Sequence, residues 1–350
     1  MTVPAGIEVP PLVGSPKAFA YRTQAKLVLR RARRGVLAGV YRPGTHQVVD
    51  IRACPVHHPL INQVVDAAAR CIDELELSVY DERTQEGLLR YLVVRVSGWQ
   101  KQAQLIVVAT GTVPTSFSRT VQSRVRGLAS VVVNLNAEGG NVILGRRFLV
   151  PAKTAPLVER VGDLKLRSRP GAFLQANIPV ARRIYVTAAE WAALRTDEIA
   201  VDLYCGVGAL AFHLAPAARR VYGIEENEAA VMDAKENTTL NGFHNVRFRA
   251  AGAAPGLVAL REEVGSVGVV ALNPPRKGAD EETRQAIVSC SPRSIVYVSC
   301  DASTLARDLA WFGGRGYRLA RVQGFDMLPQ TEHVEVLALL ERVVERVPLA

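Results

Sequence analysis

The chain has 350 residues, of which 49% are hydrophobic and 22% are charged. This composition excludes a disordered chain, and the length favours two domains over one. No run of about 18 apolar residues and no amino-terminal signal segment occurs, so we expect a cytoplasmic protein without a membrane span. The five cysteines are scattered rather than paired, which argues against a disulfide framework and against a zinc site.

The positive charge is concentrated in the first half of the chain. Residues 1–165 carry 22 Lys and Arg against 12 Asp and Glu, whereas residues 166–350 carry 21 of each. Such a field attracts a polyanion and supplies phosphate contacts, so nucleic acid is a natural partner. The run at 30–34, with Arg22 and Lys26, is the best candidate for contacts to a nucleic-acid backbone, and a solvated face without function is the alternative.

Hydrophobic patterning changes between the two halves. In residues 1–165 a helix at 59–75 and alternating strands at 91–96 and 103–109 predict an α+β domain with a mainly antiparallel sheet. In residues 166–350 strands and helices alternate, which predicts an α/β domain with a parallel, doubly wound sheet. The expected strands there are 199–204, 220–225, 246–249, 267–272 and 294–299.

A glycine-rich turn, Asp-Leu-Tyr-Cys-Gly-Val-Gly at 202–208, follows the first of these strands and precedes a helix. Glu225 ends the next strand, about 20 residues on, where a carboxylate can accept hydrogen bonds from both ribose hydroxyls. The pattern indicates a nucleoside cofactor, and a tight strand-to-helix connection is the alternative. A dinucleotide fingerprint is not complete, because position 211 is Ala.

Several further motifs point to one family. They are Phe-Leu-Gln-Ala-Asn at 173–177, Leu-Asn-Pro-Pro-Arg-Lys-Gly at 272–278, Tyr-Val-Ser-Cys-Asp at 297–301, Thr-Leu-Ala-Arg-Asp at 304–308 and Phe-Asp-Met-Leu-Pro-Gln-Thr-Glu-His-Val-Glu at 325–335. Together with the turn at 202–208 they resemble the class I S-adenosylmethionine (SAM)-dependent RNA uracil-5 methyltransferases. The resemblance is continuous from about residue 173 onward and fainter before it. The Asn-Pro-Pro-Arg motif at 273–276 resembles the bacterial 23S rRNA branch of that family, which has Asn in this motif, more than the branch that has Asp.

The resemblance implies a Rossmann-like SAM methyltransferase domain preceded by a smaller α+β RNA-binding domain. It implies that Gln175, Tyr204, Glu225 and Asn273 contact SAM. It also implies an RNA partner, rRNA or tRNA, that presents an everted uridine in a loop. We expect the protein to act as a monomer.

The resemblance assigns the chemistry to Cys300 and Glu335. Carbon 5 of uracil becomes nucleophilic once a thiolate adds to carbon 6, and a base must then remove the proton from carbon 5. Cys300 follows an apolar strand, and we expect the helix start at 304–309 to lower its pKa. Cys205 is the rival nucleophile, and Glu332 and His333 are the alternatives to Glu335 as the base.

Other functions remain open at this stage. Arg276 suits a phosphate or a uracil carbonyl, whereas amino methyltransferases carry an aromatic residue at that place. A non-catalytic RNA-binding factor on the same scaffold is a further alternative. Many relatives hold an iron–sulfur cluster with four cysteines, but only Cys54 stands at a matching place, so we expect no cluster. Many also begin with an RNA-binding barrel that this chain starts too late to contain, which suggests a compact variant or an upstream start.

Overall fold

The computed structural model describes residues 7–140, 142–150, 154 and 156–343. Within these ranges the chain forms two compact units. The first unit contains Lys17–Arg160 and Arg169–Gly171, and the second contains residues 7–16, Val161–Ser168 and 172–343. The sequence placed residues 7–16 in the first domain. The structure places them in the second unit, because Val13 pairs with Phe325 on a strand of that unit.

Over its described residues, the first unit has an α+β fold, with one sheet and two helices. Its elements are β1 (Gln24–Ala32), β2 (Gly35–Tyr41), β3 (Val48–Asp50), α1 (Pro59–Glu74), β4 (Leu89–Ser97), β5 (Gln102–Ala109), α2 (Thr115–Arg124), β6 (Leu128–Leu135) and β7 (Arg147–Leu149). The strands form one sheet in the order β3-β2-β1-β4-β5-β6-β7. Neighbours pair antiparallel except β5 and β6, so the predicted mainly antiparallel sheet is confirmed.

Two helices cover one face of this sheet. Ile61 of α1 and Phe117 of α2 are fully buried in the same cluster as Leu105 of β5. Strand residues alternate between faces, so the opposite face carries a smaller cluster that includes Tyr91 and Ile106. The helix α1 begins at Pro59 after the side chain of His58 accepts a hydrogen bond from the Leu60 amide.

The second unit alternates strands and helices. The strand β8 (Leu157–Val161) ends where the second unit begins, and it pairs with β9 (Leu164–Ser168). The elements of the second unit after β9 are α3 (Ile178–Ala192), β10 (Ile199–Leu203), α4 (Ala209–Leu214), β11 (Arg220–Glu225), α5 (Glu228–Leu240), β12 (Val246–Ala250), α6 (Ala253–Val264), β13 (Val269–Leu272), α7 (Glu281–Cys290), β14 (Ser294–Ser299), α8 (Ala302–Gly313), β15 (Tyr317–Phe325) and β16 (Glu335–Arg342). This alternation produces an α/β unit.

The main sheet of the second unit runs in the order β12-β11-β10-β13-β14-β16-β15. The strands from β12 to β14 are parallel, and β16 runs antiparallel between β14 and β15. One face packs against α3, α4 and α5, and the other against α6, α7 and α8. Helices on both faces of a mostly parallel sheet make this a Rossmann-like, doubly wound fold.

This topology fixes where a ligand can bind. The parallel strands β11, β10, β13 and β14 all end at the same edge of the sheet, and ligands of open α/β sheets bind beyond that edge. The antiparallel β16 begins at the same edge, beside the end of β14. Among the described residues, no helix is both long enough and apolar enough to span a membrane.

Candidate active site

The glycine-rich turn leaves β10 through residues with positive φ. The strand ends at Leu203, one residue before the expected end, and Tyr204 already has a φ of 59°. Gly206 and Gly208 follow with φ values of 53° and 91°. A Cβ added at Gly208 would lie 2.6 Å from the Phe248 ring, whereas one added at Gly206 would have only the Phe173 carbonyl at 4.0 Å. The turn is therefore packed on the side of Gly208 and open above Gly206.

Glu225 lies beside this turn at the end of β11. Its Oε2 accepts a hydrogen bond from the Gly206 amide at 3.1 Å, and its Oε1 accepts one from the Asn227 amide at 2.9 Å. A carboxylate oxygen can accept more than one hydrogen bond, so both atoms keep capacity for a ligand. The half-buried Glu225 is thus held in place by backbone and available to two hydroxyl groups.

Asp202 supports the turn from below. It is buried, and its Oδ2 accepts a hydrogen bond from the Ala211 amide at 3.0 Å in the first turn of α4. Burial raises the pKa of Asp202 to about 8, with Glu225 adding to the shift. The sequence alone identifies Asp202 only as part of the motif, because its burial depends on packing that the motif does not encode.

The other three residues expected to bind SAM also lie in the second unit. Tyr204 follows β10, and its hydroxyl is 3.3 Å from Thr283 Oγ1. Asn273 follows β13, and its backbone N–H donates a hydrogen bond to the Leu203 carbonyl at 3.4 Å. Gln175 is buried in the segment before α3, two residues after the Phe173 carbonyl that approaches Gly206. Tyr204, Glu225 and Asn273 therefore share one sheet edge.

Cys300 and Glu335 stand at the ends of two paired strands. Ser299 of β14 is paired with Val336 of β16, so the next residues in the antiparallel register are Cys300 and Glu335. Glu335 is only 8% exposed, and its Oε2 has no hydrogen-bond partner among the described residues. Burial raises the pKa of Glu335 to about 7, while Arg276 opposes the shift.

The expectation that the helix start lowers the pKa of Cys300 is wrong. Burial raises the pKa of this half-buried thiol, Glu335 adds to the shift, and Arg276 acts in the opposite direction. The side chain of Asp301 caps α8 and accepts hydrogen bonds from the amides of Ser303 and Thr304, both at 3.0 Å. The capping carboxylate thus offsets the positive end of the helix before it reaches the thiol.

Arg276, in the loop after β13, acts on both Cys300 and Glu335. Its Nη2 lies 3.2 Å from His333 Nε2, and its charge lowers the pKa values of Cys300 and Glu335 alike. Among the alternatives for a base, Glu332 is exposed and His333 is half-buried, whereas Glu335 is buried. A thiol, a carboxyl group that titrates near neutrality and a guanidinium therefore meet at one edge of the sheet.

Cys205, the alternative nucleophile, lies inside the fold. It is buried in the core, and its Sγ is 2.8 Å from the position that a Cβ on Gly223 would take. Burial raises the pKa of Cys205 well above its usual value, with Asp202 adding to the effect. These properties are those of a packing residue. In the part of the chain that the structure describes, no three His, Cys, Asp or Glu side chains come together as a metal site.

Comparison with known proteins gives the family. A family model described as tRNA (Uracil-5-)-methyltransferase matches residues 131–343. An uncharacterized RNA methyltransferase from Geobacter sulfurreducens is 44% identical over 345 residues, which are 97% of this chain and 69% of that protein. Another from Caldanaerobacter subterraneus is 35% identical over 334 residues, covering 95% and 74%.

A solved structure matches over most of its length. It is the Pyrococcus abyssi tRNA (uracil-54, C5)-methyltransferase in complex with S-adenosyl-L-homocysteine, with a TM-score of 0.73 and 28% identity. The match covers 95% of this chain and 78% of the Pyrococcus chain. The motifs, the fold and these similarities agree, and the chain belongs to the tRNA (uracil-5-)-methyltransferase family.

Proposed function

We propose that this protein methylates carbon 5 of a uridine in RNA, with SAM as the methyl donor and Cys300 as a covalent nucleophile. The observation that carries the proposal is the position of Cys300 and Glu335 at the sheet edge, each next to one member of the paired residues Ser299 and Val336 of β14 and β16. The cofactor turn ends on the same edge, two strands away from β14. A nucleophile, a base and a cofactor site side by side are what the reaction requires.

The residues of this turn fit a nucleoside-bearing methyl donor. The open space above Gly206 admits a ligand close to the backbone, and Glu225 offers carboxylate oxygens for ribose hydroxyls. Tyr204 presents an aromatic ring, and Gln175 and Asn273 offer amide groups. When bound, SAM supplies an electrophilic methyl group.

Cys300 and Glu335 divide the remaining chemistry between them. The thiolate of Cys300 adds to carbon 6 of the uracil ring, which makes carbon 5 electron-rich and able to take the methyl group. The Glu335 carboxylate then removes the proton from carbon 5, the bond between Sγ and carbon 6 breaks, and the thiolate leaves. With a pKa of about 7, Glu335 can hold this proton and release it near neutral pH.

The RNA target is proposed from a sequence motif and from the match to a solved structure. We propose 23S rRNA, because the Asn-Pro-Pro-Arg motif at 273–276 resembles the rRNA branch of the family that has Asn in this motif more than the branch that has Asp. The uracil ring must be everted from its loop to reach both Cys300 and Glu335. A tRNA is the second candidate, favoured by the match to a tRNA (uracil-54, C5)-methyltransferase at a TM-score of 0.73. A non-catalytic RNA-binding role is disfavoured by the presence of Cys300 and Glu335 at one edge.

A covalent trap tests the chemistry. RNA containing 5-fluorouridine has no proton at carbon 5 to release, so the enzyme should remain bonded to it through the peptide that contains Cys300. Cys300→Ala should abolish both this adduct and methyl transfer, whereas the matched control Cys290→Ala, at a buried cysteine that ends α7, should retain both. Full turnover by Cys300→Ala would refute the mechanism.

Mapping separates the two substrates. The 5-methyluridine positions in 23S rRNA and tRNA from a deletion strain should be compared with those of the parent strain. Loss of one rRNA position supports the first candidate, and loss of a tRNA position supports the second. If neither RNA loses a methyl group, the assignment to uridine fails.

A further inference from the structure

The helix that follows Cys300 binds the backbone of the loop after β13. Thr304 Oγ1 donates a hydrogen bond to the Arg276 carbonyl at 3.1 Å, and Arg307 Nη2 donates one to the Lys277 carbonyl at 2.9 Å. Asp308 Oδ2 accepts a hydrogen bond from the Ala279 amide at 3.0 Å. The positions 304, 307 and 308 share one face of α8, so a single helix face holds consecutive parts of this loop.

The strand that precedes Cys300 holds the same loop. Tyr297 lies on β14, and its hydroxyl accepts from the Ala279 amide at 3.1 Å and donates to Asp308 Oδ2 at 2.7 Å. Asp308 is fully buried, and its charge is compensated by Arg284 at 3.0 Å and by Arg307 at 2.8 Å. The segments on both sides of Cys300 therefore converge on one part of the loop.

The loop and the helix approach each other too closely for a side chain between them. Gly278 has a φ of 75°, and a Cβ added there would lie 2.6 Å from Asp308 Oδ2 and 2.7 Å from Arg307 Nη2. Only glycine combines this conformation with this contact. The path of the loop from Arg276 to Ala279 is thus determined by its fit against α8.

We infer that Thr304, Arg307 and Asp308 are positioning residues, which fix Arg276 relative to the Cys300 thiol. The inference rests on the proposed function for the role of Cys300, but the contacts that carry it are independent of that role. Small misplacements in a site of this kind reduce the reaction rate strongly, because the reacting groups must be aligned before reaction.

A released loop has a measurable effect on the thiol. The charged groups that act on Cys300 are Glu335 from β16 and Asp301 from the helix cap, which raise its pKa, and Arg276 from the loop, which lowers it. If α8 no longer holds Arg276, the lowering contribution weakens. The thiol should then ionise at higher pH, and the rate of methyl transfer should fall.

The test is alkylation of Cys300 by iodoacetamide as a function of pH, without RNA or SAM, followed by mass spectrometry of the peptide that contains it. Arg307→Met and Thr304→Val should each move the midpoint upward by about half a pH unit. Each should lower kcat about tenfold while KM for SAM changes less than about twofold. Thr304→Ser retains the hydroxyl group and should restore the wild-type profile.

Arg315→Met is the matched control. Arg315 lies just beyond α8 and contacts Trp311, with its Nη1 3.2 Å from the Trp311 carbonyl, so the same substitution there leaves the loop contacts intact. It should change neither the alkylation profile nor kcat. If Cys300 in both Arg307→Met and Thr304→Val is alkylated with the same pH midpoint as in the wild type, the inference is overturned. A shifted profile in an enzyme that fails to methylate any uridine would refute the proposed function and leave the positioning role standing.

Discussion

Glu335 combines burial, an unpartnered oxygen and a raised pKa, and this makes it a source of pH-dependent instability. A carboxyl group whose pKa rises from 4.5 in the unfolded chain to about 7 in the folded one binds its proton more tightly when folded. Its contribution to stability is fully present below about pH 4.5 and is lost as the pH rises through 7. The loss amounts to about 3 kcal/mol.

Glu335→Gln should therefore remove this pH dependence. The amide has nearly the shape of the protonated carboxyl group and cannot ionise. The variant should match the wild type at pH 4.5 and be more stable at pH 8.5, by an increase in the free energy of unfolding of up to about 3 kcal/mol. Urea denaturation at the two pH values measures the difference. Equal pH dependence in the two proteins would mean that this carboxyl group is ionised in the folded state.

The same substitution should trap the reaction after methyl transfer. If Glu335 removes the proton from carbon 5, the glutamine variant can form the bond to carbon 6 and transfer the methyl group but cannot resolve the adduct. With ordinary RNA and SAM, a methylated covalent complex should accumulate, and turnover should fall by about 100-fold or more. Gel electrophoresis under denaturing conditions detects the complex. Glu332→Gln, which changes an exposed neighbour, should turn over normally.

At the scale of elements, a turn can require glycine for its backbone conformation alone or also because no side chain fits. Gly208, in the turn after β10, has a φ of 91° and lies against the Phe248 ring. Gly242, just after α5, has a φ of 70°, and nothing lies within 4 Å of the position that a Cβ would take there. Gly242→Ala should cost about 1 kcal/mol from backbone strain alone, and Gly208→Ala about 1–3 kcal/mol more, because the added methyl group overpacks the aromatic ring. Urea denaturation without SAM gives both values. Equal losses would show that the ring yields to the methyl group.

The sequence predicted the elements around this turn because their signals are local. The strand and the helix on either side of residues 205–208 follow from apolar periodicity and glycine spacing within a short window. The positive φ of Tyr204 and the burial of Asp202 do not, since both depend on packing across the sheet. The hydrogen bonds of Thr304 and Arg307 to the loop after β13 join residues about 30 positions apart, and no periodic pattern reports them.

At the scale of the whole molecule, the assignment of residues 7–16 was missed for the same reason. The Val13 amide donates to the Gly324 carbonyl at 2.9 Å, and the Asp326 amide donates to the Val13 carbonyl at 2.9 Å. These contacts join positions more than 300 residues apart, and the short segment has no pattern of its own. The charge division was visible in the sequence because counting needs no structure, but counting could not say which arginines are already paired.

Within the described residues, the basic run at 30–34 divides into paired and unpaired arginines. Arg30 binds Asp81 at 3.2 Å and Arg31 binds Asp73, whereas Arg33 and Arg34 are exposed in the turn between β1 and β2 and make no ion pair in the described part of the chain. An arginine that already has a carboxylate partner releases fewer counterions when it meets a phosphate. Arg33 and Arg34 should therefore supply more of the salt-dependent affinity for RNA than their neighbours.

A salt titration tests this division. The logarithm of the RNA affinity falls linearly with the logarithm of the salt concentration, with a slope of about 0.7 to 0.9 per phosphate contact. Replacing both Arg33 and Arg34 by Gln should reduce the slope by about 1.5, and Arg31→Gln should reduce it by less than half as much. Both slopes can be obtained from RNA affinities measured by filter binding between about 50 and 200 mM KCl. Equal slopes for the double variant and the wild type would mean that Arg33 and Arg34 make no phosphate contacts, and would overturn this division.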